Sequence, residues 1–446
     1  MVQPKDGMSH RAILPRLFRP NAVPATLAAS ASGRSSMANT ARLAIAALVV
    51  LSAAVQAQDW PQMLGPSRNG AYAGPPLAAS WGASGPKVTW RRTVGHGLSG
   101  PVVVANRVIL FQRLGNREVV EAMDAATGTT QWRYDYATTY RDDFGFDDGP
   151  RAVPVVADDV VYTFGAEGQL HAVSLTTGKA LWHVDAMARY RVPKNFFGAA
   201  GSPVVEDGRV IANIGGPTAG IVAFDARTGR ELWTATTDGA SYSSGVMTTV
   251  GGRRLALFLT RAGLVGLAPA TGEVVLQRQW RSRSASSVNA ATPLVVGDRV
   301  FISAEYGPGA GVFRMGDGAL TELWSSNDAL TTHYATSVHH SGILFGYHGR
   351  QEQGPSLRAV ELATGKVRWT VDQFRAGSIT LAGDLLVLMR ESGELVIADA
   401  SPDGFRQKAS ARVLPGTVRA LPAIAGGFLF VRNDDTLVCL DLRAPR

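Results

Sequence analysis

The sequence predicts an all-β chain folded as an eight-bladed β-propeller of four-stranded antiparallel blades, and three observations predict it. A turn motif recurs along the chain. Its copies stand on average about 45 residues apart, the period of a propeller blade and not of a helical solenoid. Each copy is accompanied by two β-branched runs separated by Asn, Asp or Gly, which is the signal of a hairpin. Composition agrees. The 446 residues are 46% hydrophobic and 18% charged, too apolar for a disordered chain. The 49 glycines are spread along the length, as a fold made of many turns requires. A single cysteine excludes an internal disulfide framework and a Cys-paired zinc site.

Within a blade the elements follow from local chemistry. The hairpins PVVVANRVILF (101–111), PVVADDVVYTF (154–164), PVVEDGRVIANI (203–214) and PLVVGDRVFIS (293–303) supply the first two strands. The third strand ends at a usually acidic residue: Asp124, Ser174, Asp225, Ala268, Arg314, Glu361, Asp399 or Asp441. A Thr-Gly turn follows, in which Gly128, Gly178, Gly229, Gly272 and Gly365 can take the positive φ that a tight turn demands. The fourth strand carries Trp132, Trp182, Trp233, Trp324 or Trp369, each a flat surface for the neighbouring blade with an N–H that needs a fixed acceptor. These residues read as structural. Leu276 stands where the fourth copy would have Trp. The eighth copy ends at the C-terminus without a fourth strand, whereas KVTWRRTV (87–94) carries Trp90 before the first hairpin. The N-terminal strand is therefore expected to complete the last blade and close the ring, which removes exposed sheet edges.

The charge is unevenly placed. Of the formal +8, residues 1–57 hold a net +5, which leaves +3 for the rest and no basis for a nucleic-acid surface. Arg42, the apolar run 43–51 and the small residues up to Ala57 have the order of a secretory signal, too short for a membrane span. The expected division is a non-native or disordered leader at 1–36, a signal peptide at 37–57 cleaved after Ala57, an N-terminal lead-in segment at 58–85 and the propeller at 86–446. Residue 58 is Gln, so no lipid-attachment cysteine stands there. The mature chain is expected to be periplasmic or secreted, and monomeric.

The Ala-x-Asp-x-x-Thr-Gly-x-x-x-Trp repeat resembles the pyrroloquinoline quinone (PQQ) repeat over roughly residues 59–443. DWPQMLGPSRNG (59–70) is similar to the opening of exported bacterial PQQ-like propellers related to the outer-membrane assembly lipoprotein BamB. The resemblance implies the propeller fold and two functional classes, quinoprotein dehydrogenases and non-enzymatic binding propellers. The first class implies PQQ with a calcium or lanthanide held by Glu, Asn and Asp, a general-base Asp and, in many members, adjacent cysteines. This chain has only Cys439, in a final strand and expected as a small core residue, and no local cluster that matches the metal set.

Ligands of propellers usually sit where the connections into the first strands open on the central channel. The equivalent residues there are Leu98, Arg151, Ala200, Tyr242, Ala290, Tyr334, Arg375 and Arg419, with three arginines and no acid. Converging guanidinium groups would favour carboxylate or phosphate oxygens. The alternative is a set of solvated loop residues that point apart. Four of the eight histidines lie in 333–354: His339 and His340 in a turn on the opposite face, and His333 and His348 on the mouth side with Tyr334, Arg350 and Glu352. They are expected to line the mouth and not to share a metal. RDDFGFDDG (141–149) lacks the alternating ligands of a calcium loop and is expected to be a solvated connection. No Walker loop, HExxH or nucleophile elbow is present.

The leading functional expectation is a binding or scaffold module that engages a protein partner or a small anionic ligand at the mouth, with no catalytic residue assigned and no cofactor. The alternative is a PQQ-dependent alcohol or sugar dehydrogenase, with the arginines facing the cofactor carboxylates and a His or Glu as base. A third is a carbohydrate- or cell-wall-associated module.

Overall fold

The computed structural model describes residues 59–444 apart from 195–196, 282–283, 285–288 and 317. The expected leader and signal peptide lie outside the described residues. Eight four-stranded sheets are present, each paired only within itself or with one borrowed segment. Blade 1 comprises Val102–Val104, Arg107–Leu114, Arg117–Asp124 and Thr130–Ala137, antiparallel in that order. Blades 2 to 7 repeat this plan, with first strands that begin at Val155, Val204, Val246, Leu294, Val338 and Gly377. The three-residue first strands of neighbouring blades approach one another around the axis. Second and third strands are buried on both faces, as in Val108–Phe111 and Val119–Met123, because each sheet is covered by two neighbours. Fourth strands alternate half-buried and exposed, as in Thr130–Ala137, because they form the rim.

The ring closes as expected. Lys87–Thr93 pairs antiparallel with Thr436–Asp441, the third strand of blade 8, and sets Trp90 opposite Cys439. Cys439 is buried where other copies have Ala122, Ala172, Ala223 and Ala359 opposite the Trp. Further bonds fasten this strand and the residues after it to blade 1, among them Trp90 Nε1 to Ala125 O at 2.9 Å, Arg92 to the buried Glu121 at 3.1 Å, and Gly95 N to Gln112 Oε1 at 2.6 Å.

Neighbouring blades are joined by one repeated contact. The indole N–H groups of Trp90, Trp132, Trp182, Trp233, Trp324 and Trp369 each donate to a carbonyl of the next blade's turn, at Ala125, Leu175, Ala226, Pro269, Leu362 and Ser401, over 2.8–3.0 Å. Five of these rings lie flat against the turn glycines 128, 178, 229, 272 and 365. All five glycines have φ between +70° and +76°, and a Cβ added there would sit 2.6–2.9 Å from the ring. Leu276 leaves the seam between blades 4 and 5 without this contact. Trp280, four residues on, instead packs edge-on against Phe313 at 5.6 Å. A second belt runs nearer the axis, where the N–H groups of Val153, Ser202 and Thr292 donate to the hydroxyls of Ser202, Ser244 and Thr336 in the next blades.

The lead-in segment runs along the inner strands. Trp60 exchanges two hydrogen bonds with Val103 of blade 1, and Pro61 O accepts from Val156 of blade 2. The chain then runs to Arg68 beside blades 3 and 4 and returns to pair Ala71–Tyr72 in parallel with Leu381–Ala382 of blade 7. Every one of these partners is a first strand or its immediate approach, so the segment lies along the inner edges of the sheets.

Deletion of residues 86–94 removes the closing strand and the contact between blades 8 and 1 together, and it is expected to abolish cooperative unfolding in a thermal melt. Trp132→Ala is expected to cost about 3 kcal/mol, checked by denaturant titration. A pH dependence follows from His171, which stacks on Tyr136 at 4.0 Å and meets Tyr134 Oη at 2.9 Å across the seam between blades 1 and 2. Burial, with the charge of His183 as a lesser cause, pushes His171 down to about 4. The folded chain resists its protonation, so this contribution is present above pH 6.5 and is lost as pH falls from 6.5 toward 4. The loss is about 3 kcal/mol, and stability curves at those pH values should show it for the parent and not for His171→Gln.

Candidate functional site

The mouth is walled by the connections that enter the first strands, and its floor is the inner end of the lead-in segment. Met63 Sδ lies 3.3 Å from Ser244 Oγ. Arg68, 4% exposed, donates to Gln62 Oε1 at 2.7 Å, to Gly245 O at 2.8 Å and to Pro203 O. With no carboxylate among these partners, burial lowers its affinity for a proton to a pKa of about 9.

On one side of the mouth stands the acidic turn 141–149, a connection with five exposed residues, as its composition predicts, but with two aspartates turned inward. Asp142 and Asp147 are buried. Asp142 accepts the N–H groups of Phe144, Phe146 and Asp147 at 3.0, 2.8 and 3.1 Å, and Asp147 accepts those of Gly97 and Gly149. Short carboxylates commonly cap their own turn in this way. Arg151 completes the turn, 3.1 Å from Asp142 and from Asp147 O. Its side chain is 9% exposed and that of Asp142 0%, a buried ion pair.

The same turn presents aromatic surface to solvent. Phe144 and Phe146 are 56% and 61% exposed and stack at 6.2 Å. Phe197, from the next connection, lies 5.3 Å from Phe144 and 5.5 Å from Tyr242, whose hydroxyl accepts the Phe197 N–H at 3.0 Å. The Arg151 guanidinium lies 5.3 Å from the Phe197 ring, and that of Arg419 5.5 Å from Phe146. The exposed rim carries the ion pairs Arg141–Asp148 and Lys194–Asp143.

Across the mouth a residue absent from the sequence reading, Glu391, gathers three groups. It accepts from Arg419 at 3.1 Å, from Gln351 at 2.9 Å and from the Tyr334 hydroxyl. Burial and this carboxylate hold the Tyr334 phenol well above its ordinary value. His333 lies 3.3 Å from Tyr306 Oη, and the Arg350 guanidinium sits 4.6 Å from the Tyr306 ring and 3.4 Å from Glu352. His348 turns to the backbone instead and accepts the Thr331 N–H through Nδ1 at 3.1 Å. Burial lowers the pKa of both histidines. Among the described residues no group of three or more His, Cys, Asp or Glu side chains is placed to hold a metal ion. On the other face His339 accepts the Gly342 N–H and His340 meets Asp384 at 3.2 Å.

The ring of three arginines is thus divided. Arg151 and Arg419 each meet a carboxylate, Asp142 and Glu391, that the alignment of equivalent positions did not include. Arg375 is exposed, at φ +71°, and makes no hydrogen bond or ion pair among the described residues. Asp142 had a signal in the acidic run of the sequence. Glu391 had none, because it enters from a turn between the second and third strands of blade 7.

Replacement of Asp142 by Ala leaves Arg151 buried without its partner and frees three amides. The expected cost is about 3 kcal/mol, together with lost hydrogen-exchange protection at 144, 146 and 147, read by denaturant titration and mass spectrometry.

Comparison with known proteins places this geometry. Residues 68–141 and 116–371 match the family model described as outer membrane protein assembly factor BamB. Over 124 residues, 27% of this chain and 17% of the relative, the sequence is 32% identical to quinohemoprotein alcohol dehydrogenase ADH-IIG of Pseudomonas putida. The chain therefore spans about a sixth of that protein's length. The fold is similar to that of BamB from Moraxella catarrhalis (TM-score 0.59, 16% identity, 81% of this chain and 98% of that one). It is also similar to quinohemoprotein alcohol dehydrogenase from Comamonas testosteroni (TM-score 0.60, 15% identity, 88% and 82%). With more than half of its residues matched and the eight repeated blades formed, the chain belongs to the PQQ-like β-propeller family described by the BamB model.

Proposed function

We propose that the chain is an exported binding module that docks a partner protein at its channel mouth through Phe144, Phe146 and Phe197. The observation that carries this reading is the pair of exposed phenylalanines on a turn whose own amides are held by Asp142, Asp147 and Asp148. An aromatic centre inside a rim of matched ion pairs is the anatomy of a protein interface. Export rests on Arg42 and the apolar run 43–51. No helix of the described residues is long and apolar enough to cross a membrane.

A small anion is a second ligand class for the same mouth, favoured by one specific feature, the exposed Arg375, which has no hydrogen bond or ion pair among the described residues. The residues present do not fit a quinone with its calcium. Of the mouth carboxylates, Asp142, Asp147 and Glu391 are already engaged by amides, arginine and tyrosine, and Glu352 pairs with Arg350. The chain's own lead-in segment runs along the inner strands beneath, and the cysteine lies in the last sheet opposite Trp90.

A photo-crosslinking amino acid at position 144 is expected to trap one defined protein in cells, whereas the same group at Leu181, 50% exposed on the outer rim, traps none. The purified partner should bind Phe144→Ser/Phe146→Ser at least about 30-fold more weakly than the parent. Stoichiometric uptake of PQQ with calcium, together with dye-linked oxidation of alcohols or sugars, would replace this reading with the dehydrogenase.

A further inference from the structure

The contacts of residues 59–72 are those of a bound peptide. The inner edge of each first strand has N–H and C=O groups that no strand of its own sheet reaches, and such an edge is a template for an added chain. The segment answers it at several blades. Trp60 takes both bonds of Val103 at 2.7 and 2.9 Å, Pro61 O takes the Val156 N–H at 2.8 Å, and Gly70 O takes the Leu381 N–H at 2.8 Å. Main-chain bonds of this kind give affinity, and side-chain pockets give specificity. The pockets fall at a regular interval: Trp60, Leu64, Arg68 and Tyr72 are 2%, 5%, 4% and 8% exposed. The Arg68 pocket is made by the receptor's backbone. Its walls are the carbonyls of Pro203 and Gly245, with Ser202 O at 3.5 Å, and Gln62 covers the remaining side. Carbonyl oxygens converging on a planar cation select a guanidinium over a point-like ammonium. Gly70 passes so close to blade 6 that a Cβ would lie 2.7 Å from Val338, which fixes the register of the peptide's far end. Between this segment and the closing strand the chain is exposed at Gly82–Ser84, so the two are separable in principle.

We propose that the propeller channel is a peptide-binding site for a chain folded into consecutive turns, with aromatic, aliphatic, arginine and aromatic anchors four residues apart, and that residues 59–72 are its resident ligand. The guanidinium pocket at Pro203 and Gly245 is the specificity element of that site. The proposal concerns the channel and does not depend on what docks at the mouth.

The test uses the full chain with a protease site introduced at Gly82–Ser84 and cleaved after folding. The released 59–82 fragment is expected to co-elute with the propeller in size exclusion and to be exchanged by a fluorescent synthetic peptide of residues 59–78. The same peptide with Arg68→Ala should compete about 30-fold less well, as expected when bonds to a charged group are lost, and one with Arg68→Lys should recover only part of that. The proposal is overturned if the fragment leaves a propeller that stays folded by circular dichroism. It is equally overturned if the parent and Arg68→Ala peptides compete alike, or if neither exchanges over days.

Discussion

The ring rests first on one contact between blades, repeated at six of its eight seams, the tryptophan of a fourth strand lying on the turn of the next sheet. No strand belongs to two sheets, so the ladder hydrogen bonds stabilise each blade, and apart from the closing strand, the lead-in segment and a few bonds between connections the backbone does little to join one blade to the next. The indole supplies both the flat apolar area and a directed N–H, and the positive φ of the turn glycine lets the ring approach within van der Waals distance. Where the motif fails the ring still needs an equivalent, and the seam between blades 4 and 5 recovers it with Trp280 on Phe313. At the closure Trp90 serves a sheet whose other three strands lie more than 300 residues away, which makes folding of the ring a long-range event.

The mouth illustrates how a ring of like charges is made tolerable. Arg151 is buried only because Asp142 and Asp147 O receive it, and Arg419 is half-buried beside Glu391. An unpaired guanidinium in those places would carry a large desolvation cost. The consequence for function is that the arginines act largely inward, as supports. The groups turned outward are the phenyl rings of 144 and 146, and these supports are what hold them in place. BamB and quinohemoprotein alcohol dehydrogenases share this fold, so the proposed function rests on these side chains and not on the architecture.

The occupied channel has a physical cause of its own. Eight inner strands of three to six residues leave a ring of backbone groups facing the axis, and a buried backbone group without a partner is costly. Threading the lead-in segment past blades 1, 2, 3, 4 and 7 satisfies several of them at once and places a fully enclosed arginine under the mouth. That arginine has carbonyl partners and no carboxylate, an arrangement that works because a guanidinium spreads its charge over several in-plane donors.

The fold was legible in the sequence because its determinants are local and repeated. A glycine that must adopt positive φ, a tryptophan eight residues after an acidic turn residue, and β-branched pairs around Asn or Asp each announce themselves within a dozen residues, and a period of about 45 residues assembles them into blades. Even the closing strand could be read, since Trp90 is a motif residue without a motif. The mouth was legible only in part. Alignment of equivalent positions placed Arg151, Tyr334 and Arg419 in one ring, but their charge partners come from non-equivalent elements: Asp142 from an enlarged connection and Glu391 from a turn of another register. DWPQMLGPSRNG was recognisable as an opening segment, yet its passage through the channel leaves no periodic trace, because its partners are backbone atoms of strands 43 to more than 300 residues away. The sequence by itself therefore determined the blades, their number and their closure. Only the tertiary structure decided which charges are neutralised, which aromatics face solvent and what runs along the inner strands, because those follow from distances between chain segments that no local pattern encodes.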